Sequence, residues 1–201
     1  MHSVLITNPE GKILLSRYFE NHSSEGLEAE QPNDISESKN AAGLFHQHHQ
    51  HGGLSMMRDR AMAMRSSESE VLGQTRHLWT KGTADFPQVA RAKGGLIIVF
   101  GAVEGLLLFL CGSGEYDELT LADALATLAK VITALCRKDS KGQRATESAL
   151  MSSSSTSSTY SKACLAIDEM FPGGILESLD AGTILSAIKL QNPAASSKQG
   201  R

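Results

Sequence analysis

Apolar residues fall in this chain in short unbroken runs and at helical spacing, and two long polar stretches interrupt them. Val4-Leu5-Ile6 and Ile13–Phe19 are rich in aliphatic side chains and flank Asn8-Pro9-Glu10-Gly11, a turn sequence, so Met1–Glu20 predicts a β-hairpin. Pro9 fixes φ and lacks an N–H, which stops the first strand near it. Leu96–Phe100 and Leu106–Cys111 predict two buried strands around a turn at Val103-Glu104-Gly105. Read as one piece, Gly95–Cys111 is apolar enough to suggest a membrane span. It falls short of the roughly 20 residues a crossing helix needs, and Glu104 interrupts it. Phe86–Ala92 predicts a weaker strand entered through Pro87. The pattern therefore yields five strands, all reachable by antiparallel connections.

The helical rhythm is clearest at Leu121, Leu125, Leu128, Ile132 and Leu135, which step by four, three, four and three and draw one stripe. Ala122, Ala129 and Cys136 widen the stripe with small side chains, which lets such a helix lie close on a sheet. Carboxylates at Glu115, Asp117 and Glu118 precede it and Arg137-Lys138 end it, as the helix dipole favours. Ser69–Trp79 predicts a shorter helix burying Val71, Leu72, Leu78 and Trp79, weakened by Gly73 by about 1 kcal/mol relative to alanine. Tyr160, Cys164, Ile167 and Phe171 space a third helix, stopped by Pro172-Gly173-Gly174. Asp180 caps a last helix whose apolar side is Ile184, Leu185 and Ile188.

Between these elements the composition changes. Residues 21–69 are rich in Ser, Glu, His, Gln and Asn and carry the tract His46–His51. Too little apolar surface is present there to offset an ordering entropy of about 1–2 kcal/mol per residue, so the segment is expected to be a disordered insertion. Met56–Met64 adds a short transient helix to it, with arginines breaking any clean apolar face. Residues 139–159, with serines at 152–155 and 157–158, predict a flexible linker, and 192–201 a frayed tail. The expected organisation is one domain built from 1–20 and 70–191.

Charge and cysteine content narrow the function. A net charge of -3 over 201 residues supplies no basic field for nucleic acid or an anionic membrane. The three cysteines, Cys111, Cys136 and Cys164, stand in apolar or helical sequence and read as reduced, buried thiols of a cytoplasmic protein. The Pro-Glu-Gly-Lys turn breaks the apolar run a signal peptide would need.

Glu115-Tyr116-Asp117-Glu118-Leu119 follows the last strand, and Leu165-Ala166-Ile167-Asp168-Glu169 leads into Gly173-Gly174-Ile175-Leu176-Glu177. With the opening hairpin, these motifs resemble the small subunits of vesicle-coat adaptors, which include the clathrin-adaptor sigma chains and coatomer zeta. Tyr116-Asp117-Glu118-Leu119 tilts the resemblance toward the TPLATE/TSET complexes. It covers 1–20 and roughly 70–191, and the two polar insertions depart from it. The resemblance implies an α+β, longin/SNARE-like fold, a five-stranded antiparallel sheet covered by α-helices. It also implies a non-catalytic subunit packed against large solenoid adaptor subunits and a medium subunit in clathrin-mediated endocytosis. Membrane contact would be indirect, at the cytoplasmic face of coated pits, with no nucleic acid and no cofactor. A longin-type tethering subunit and a coatomer zeta-like chain are the alternatives.

On that resemblance, Glu115, Tyr116, Asp117, Glu118, Leu119, Asp168, Glu169, Gly173, Gly174, Leu176 and Glu177 are the fold and assembly positions. None is expected to be catalytic, cofactor-binding or metal-binding. Neighbours on a helix point about 100° apart, so Asp168 and Glu169 do not converge on one substrate atom. The histidine tract has the donors for a transition metal but no supporting frame to fix their geometry. No phosphate loop or nucleophile elbow is present in the sequence.

Overall fold

A computed structural model describes residues 1–19, 52–79, 87–139, 144–153 and 158–191. The chain divides into two units, one of Met1–Glu20 with Glu70–Arg201 and the other of Asn21–Ser69. In the first, strands β1 (Ser3–Thr7), β2 (Ile13–Tyr18), β3 (Gln88–Arg91), β4 (Ile97–Val103) and β5 (Leu106–Gly112) form one antiparallel sheet in the order β2-β1-β5-β4-β3. All five expected strands are present. The helices are α1 (Gly52–Trp79), α2 (Glu118–Asp139), α3 (Glu147–Leu150), α4 (Thr159–Met170) and α5 (Ala181–Gln191).

The sheet is buried on both faces: every residue of β1 and β5 is buried, the polar Ser3 and Thr7 of β1 included. β1 pairs Leu5 with Phe109 and Ile6 with Leu108, so the pleat sends alternate residues to opposite sides. Val4, Ile6, Val99, Leu108 and Leu110 face one core with α2. Leu5, Ile98, Phe100, Leu107, Phe109 and Cys111 face a second core with Val71, Leu72, Leu78 and Trp79 of α1. Phe100 and Phe109, opposite each other in the ladder, stack with centroids 5.6 Å apart. Gly95–Cys111 is thus two strands and not a span.

The α2 stripe is as expected, with Leu121, Leu125, Leu128, Ile132 and Leu135 all buried, and Ala124 and Val131 joining them. α5 begins where Asp180 accepts from the backbone N–H groups of Thr183 (2.9 Å) and Gly182 (3.3 Å). At the first hairpin Asn8 Oδ1 accepts from Lys12 N–H (2.8 Å) and Glu10 N–H (3.1 Å), and Gly11 turns at φ +87° under the Trp79 ring.

Three expectations need correction. α1 starts at Gly52, well before Ser69, so the 21–69 segment is not without regular structure: its part from Gly52 is helical. Met, Ala and Arg are strong helix formers even without a clean apolar face, and the short transient helix expected at Met56–Met64 is part of one continuous helix. Residues 20–51, with the histidine tract, lie outside the described residues, as do 80–86 and the tail 192–201. The stretch expected to be a serine-rich linker contains α3, and Ala145, Ala149 and Leu150 are buried. Thr146 caps α3 and Glu147 accepts from Lys12 Nζ (2.7 Å) and Asn8 Nδ2 (3.0 Å), distant contacts that no local pattern announces. Finally, α4 buries Thr159, Ala163, Ala166, Ile167 and Met170, whereas Tyr160 is exposed and Cys164 half-buried. Packing between α2 and α5 favours the alanine line, where small side chains allow close approach.

Candidate functional site

The two motifs that sequence reading set apart meet at one hydroxyl group. β5 ends in Gly112, and a turn through Gly114 (φ +68°) carries the chain to Tyr116 just before α2. From the other side, α4 stops at Phe171 and Pro172–Gly174 makes a 3-10 turn. Gly173 and Gly174 hold φ of +60° and +84°, a region that side chains with a Cβ enter at a cost. Tyr116 Oη then donates to Gly174 O (2.9 Å) and accepts from Leu176 N–H (2.8 Å), so both hydrogen-bonding capacities of the phenol are used.

Gly174 is the crowded point of this corner. Its carbonyl also accepts from the Met1 ammonium at 2.6 Å, and Met1 itself is only 8% exposed. A Cβ on Gly174 would stand 2.7 Å from Phe19 Cβ, and one on Gly112 would stand 2.9 Å from Tyr116 Cβ. Phe19 in turn packs on Phe171 with the rings tilted 55° and centroids 6.0 Å apart. Burial lowers the Met1 amine below its ordinary value, and the nearby Glu115 carboxylate opposes that shift. Burial likewise lowers the His2 imidazole, and the adjacent ammonium adds to the effect.

The remaining motif residues divide by role. Asp117 accepts from Thr120 N–H at 2.7 Å as the cap of α2, and that bond holds its carboxyl below the usual range. Glu118 is ion-paired with Arg91 on β3. Leu119 projects outward and is 72% exposed, although it belongs to the first turn of a core helix. Leu176 packs on the core, while Glu177 donates its backbone N–H to Met170 O (3.0 Å) and leaves its side chain exposed. Asp168 and Glu169 do not join this corner. Asp168 accepts from Arg17 Nε (2.8 Å), tying α4 to the edge strand β2, and Glu169 is half-buried on the same helix.

Sequence reading missed four participants: Met1, Phe19, Gly112 and Ile175. Ile175 is 70% exposed between the two residues that Tyr116 holds, and an aliphatic residue directly after a double glycine was the available signal. Burial pushes the Cys111 thiol up to about 12 and raises Cys164 as well.

No protein-family model matches the chain. Over 138 residues the chain is 29% identical to TSET complex member tstD of Dictyostelium discoideum, a match covering 69% of this chain and 65% of that protein. Over those residues the chain is similar to that TSET complex member. The match spans slightly less than two thirds of its relative's length. A solved-structure comparison finds a chain in a homology model of the full-length AP-3 complex in a stretched open conformation, at a TM-score of 0.47 and 11% identity. That pairing covers 98% of this chain and 96% of the other. The five-stranded antiparallel sheet with helices is the α+β architecture expected from the sequence, with the strands in the expected order.

Proposed function

We propose that this chain is a non-catalytic small subunit of a TSET-type vesicle-coat adaptor. It would act by burying part of its surface against a large solenoid subunit, within an assembly that also holds a medium subunit. The observation that carries the reading is the match to a TSET complex member across most of the chain. The site fits that role, since Tyr116, Gly174 and the Met1 ammonium join three remote segments into one rigid corner and leave Leu119 and Ile175 facing outward. Permanent interfaces of this kind bury about 2,000 Å² or more and are apolar at the centre. Within the assembly the chain would be cytoplasmic and reach the plasma membrane only indirectly, in clathrin-mediated endocytosis.

The test is affinity purification from the native cell under gentle detergent, followed by mass spectrometry. The tag belongs at the C-terminus, because Met1 is buried on Gly174. Stoichiometric recovery of large solenoid subunits and a medium chain is expected. Recovery of several other small longin-type proteins, or of the chain alone as a stable monomer, would refute the reading.

A further inference from the structure

Leu119 and Ile175 are the two most exposed large aliphatic residues among those described in the folded unit, at 72% and 70%. Both sit at the Tyr116 corner: Leu119 three residues beyond it along the chain, Ile175 between the two residues whose backbone Tyr116 holds. Both aliphatic side chains therefore stand exposed on a fixed frame, and a partner covering them would spend little on ordering it. Its rim is acidic, with the exposed side chains of Glu115 and Asp117 before Leu119 and Glu177 after Ile175.

We infer that this corner docks an amphipathic segment of a larger subunit that presents aliphatic side chains flanked by lysine or arginine. The inference rests on the adaptor-subunit reading above and names the chemistry of the contact. An apolar centre with a charged rim is the usual anatomy of a specific interface, and complementary rims steer encounter and fix register. The sign of the rim decides among occupants. A second copy of this chain, related by a twofold axis, would bring Glu115 and Glu177 against their own like charges. An anionic bilayer would be repelled by the same carboxylates. A basic amphipathic segment is attracted by the rim and covers both aliphatic side chains.

The experiment places a photo-cross-linking amino acid at Leu119, at Ile175 or, as a control away from the corner, at Met151, in the C-terminally tagged chain expressed in its native cell. After irradiation the assembly is purified and the cross-linked peptides are sequenced. Cross-links from 119 and 175 into one Lys/Arg-rich apolar segment of a large subunit are expected. Glu177→Lys should cut their yield severalfold without changing the melting temperature. If large subunits co-purify but positions 119 and 175 react with an acidic or uncharged segment, with a second copy or with nothing, the inference falls and the subunit reading stands. If the unmodified chain recovers no large subunit, both fall.

Discussion

Gly173 and Gly174 share a left-handed backbone but differ in surroundings, which separates two costs at adjacent residues. Nothing lies within 4 Å of a Cβ on Gly173, so Gly173→Ala meets only the backbone penalty of about 1–2 kcal/mol. Gly174→Ala meets that penalty plus contact with Phe19 and the Met1 carbonyl, and it should cost clearly more in urea unfolding. Tyr116→Phe keeps the ring and removes both hydrogen bonds, leaving Leu176 N–H without its acceptor while Gly174 O retains the Met1 ammonium. The expected loss is about 1–3 kcal/mol with an unchanged denaturant slope. An unaltered midpoint would show that the phenol is not what fastens the two motifs together.

At the level of elements, the β4–β5 turn acts as a clasp on the segment that follows α2. Glu104 adopts φ +56°, uncommon for a residue with a side chain, and its carboxylate accepts from Ala145 N–H and from Arg137 Nη2. Those partners hold its carboxyl below the usual range, the Ala145 bond most strongly. Gly105 completes the clasp, donating to Ala145 O at 2.8 Å where a Cβ would stand 3.1 Å from Thr146 Cγ2. Glu104→Gln should therefore speed tryptic cleavage at Arg144 and hydrogen exchange at Ala145, with little change elsewhere. Leu125→Ala, in the middle of the α2 stripe, should by contrast lower global stability by about 2–5 kcal/mol. The contrast explains what the amino-acid pattern revealed and what it hid. Strands β1, β2, β4 and β5 and the α2 stripe announce themselves because their apolar periodicity is local. α3 has only Ala149 and Leu150 to bury, and its place is set by Glu104, Lys12 and Asn8, all far away in sequence. The Tyr116–Gly174 contact, 58 residues apart, was likewise legible as two motifs but not as one place. The helical run before Ser69 escaped because propensity, not an apolar face, writes it.

For the molecule as a whole, the shifted groups make stability depend on pH in a definite order. Met1 and His2 are both held below their ordinary values by burial, so as pH falls the unfolded chain takes up each proton before the folded one. Stability should drop as pH falls from the ordinary amine value through the ordinary imidazole value. A second drop follows below the ordinary carboxylate range, as Glu104, Asp117, Glu147 and Asp180, all held low by hydrogen bonds, are protonated. Urea midpoints measured across pH should show both steps, and His2→Asn should shrink the first, leaving the Met1 contribution, while keeping the second. A single step unaffected by that substitution would refute the assignment. The sheet order carries a consequence for biosynthesis. β1 lies between β2 and β5, yet it leaves the ribosome with only β2 beside it. The residues between Thr7 and Gly112 take about 5–20 s to translate at ordinary elongation rates. Throughout that interval Val4, Leu5 and Ile6 present an unpaired apolar edge, so the nascent hairpin is where chaperone engagement and mispairing between neighbouring nascent chains will concentrate.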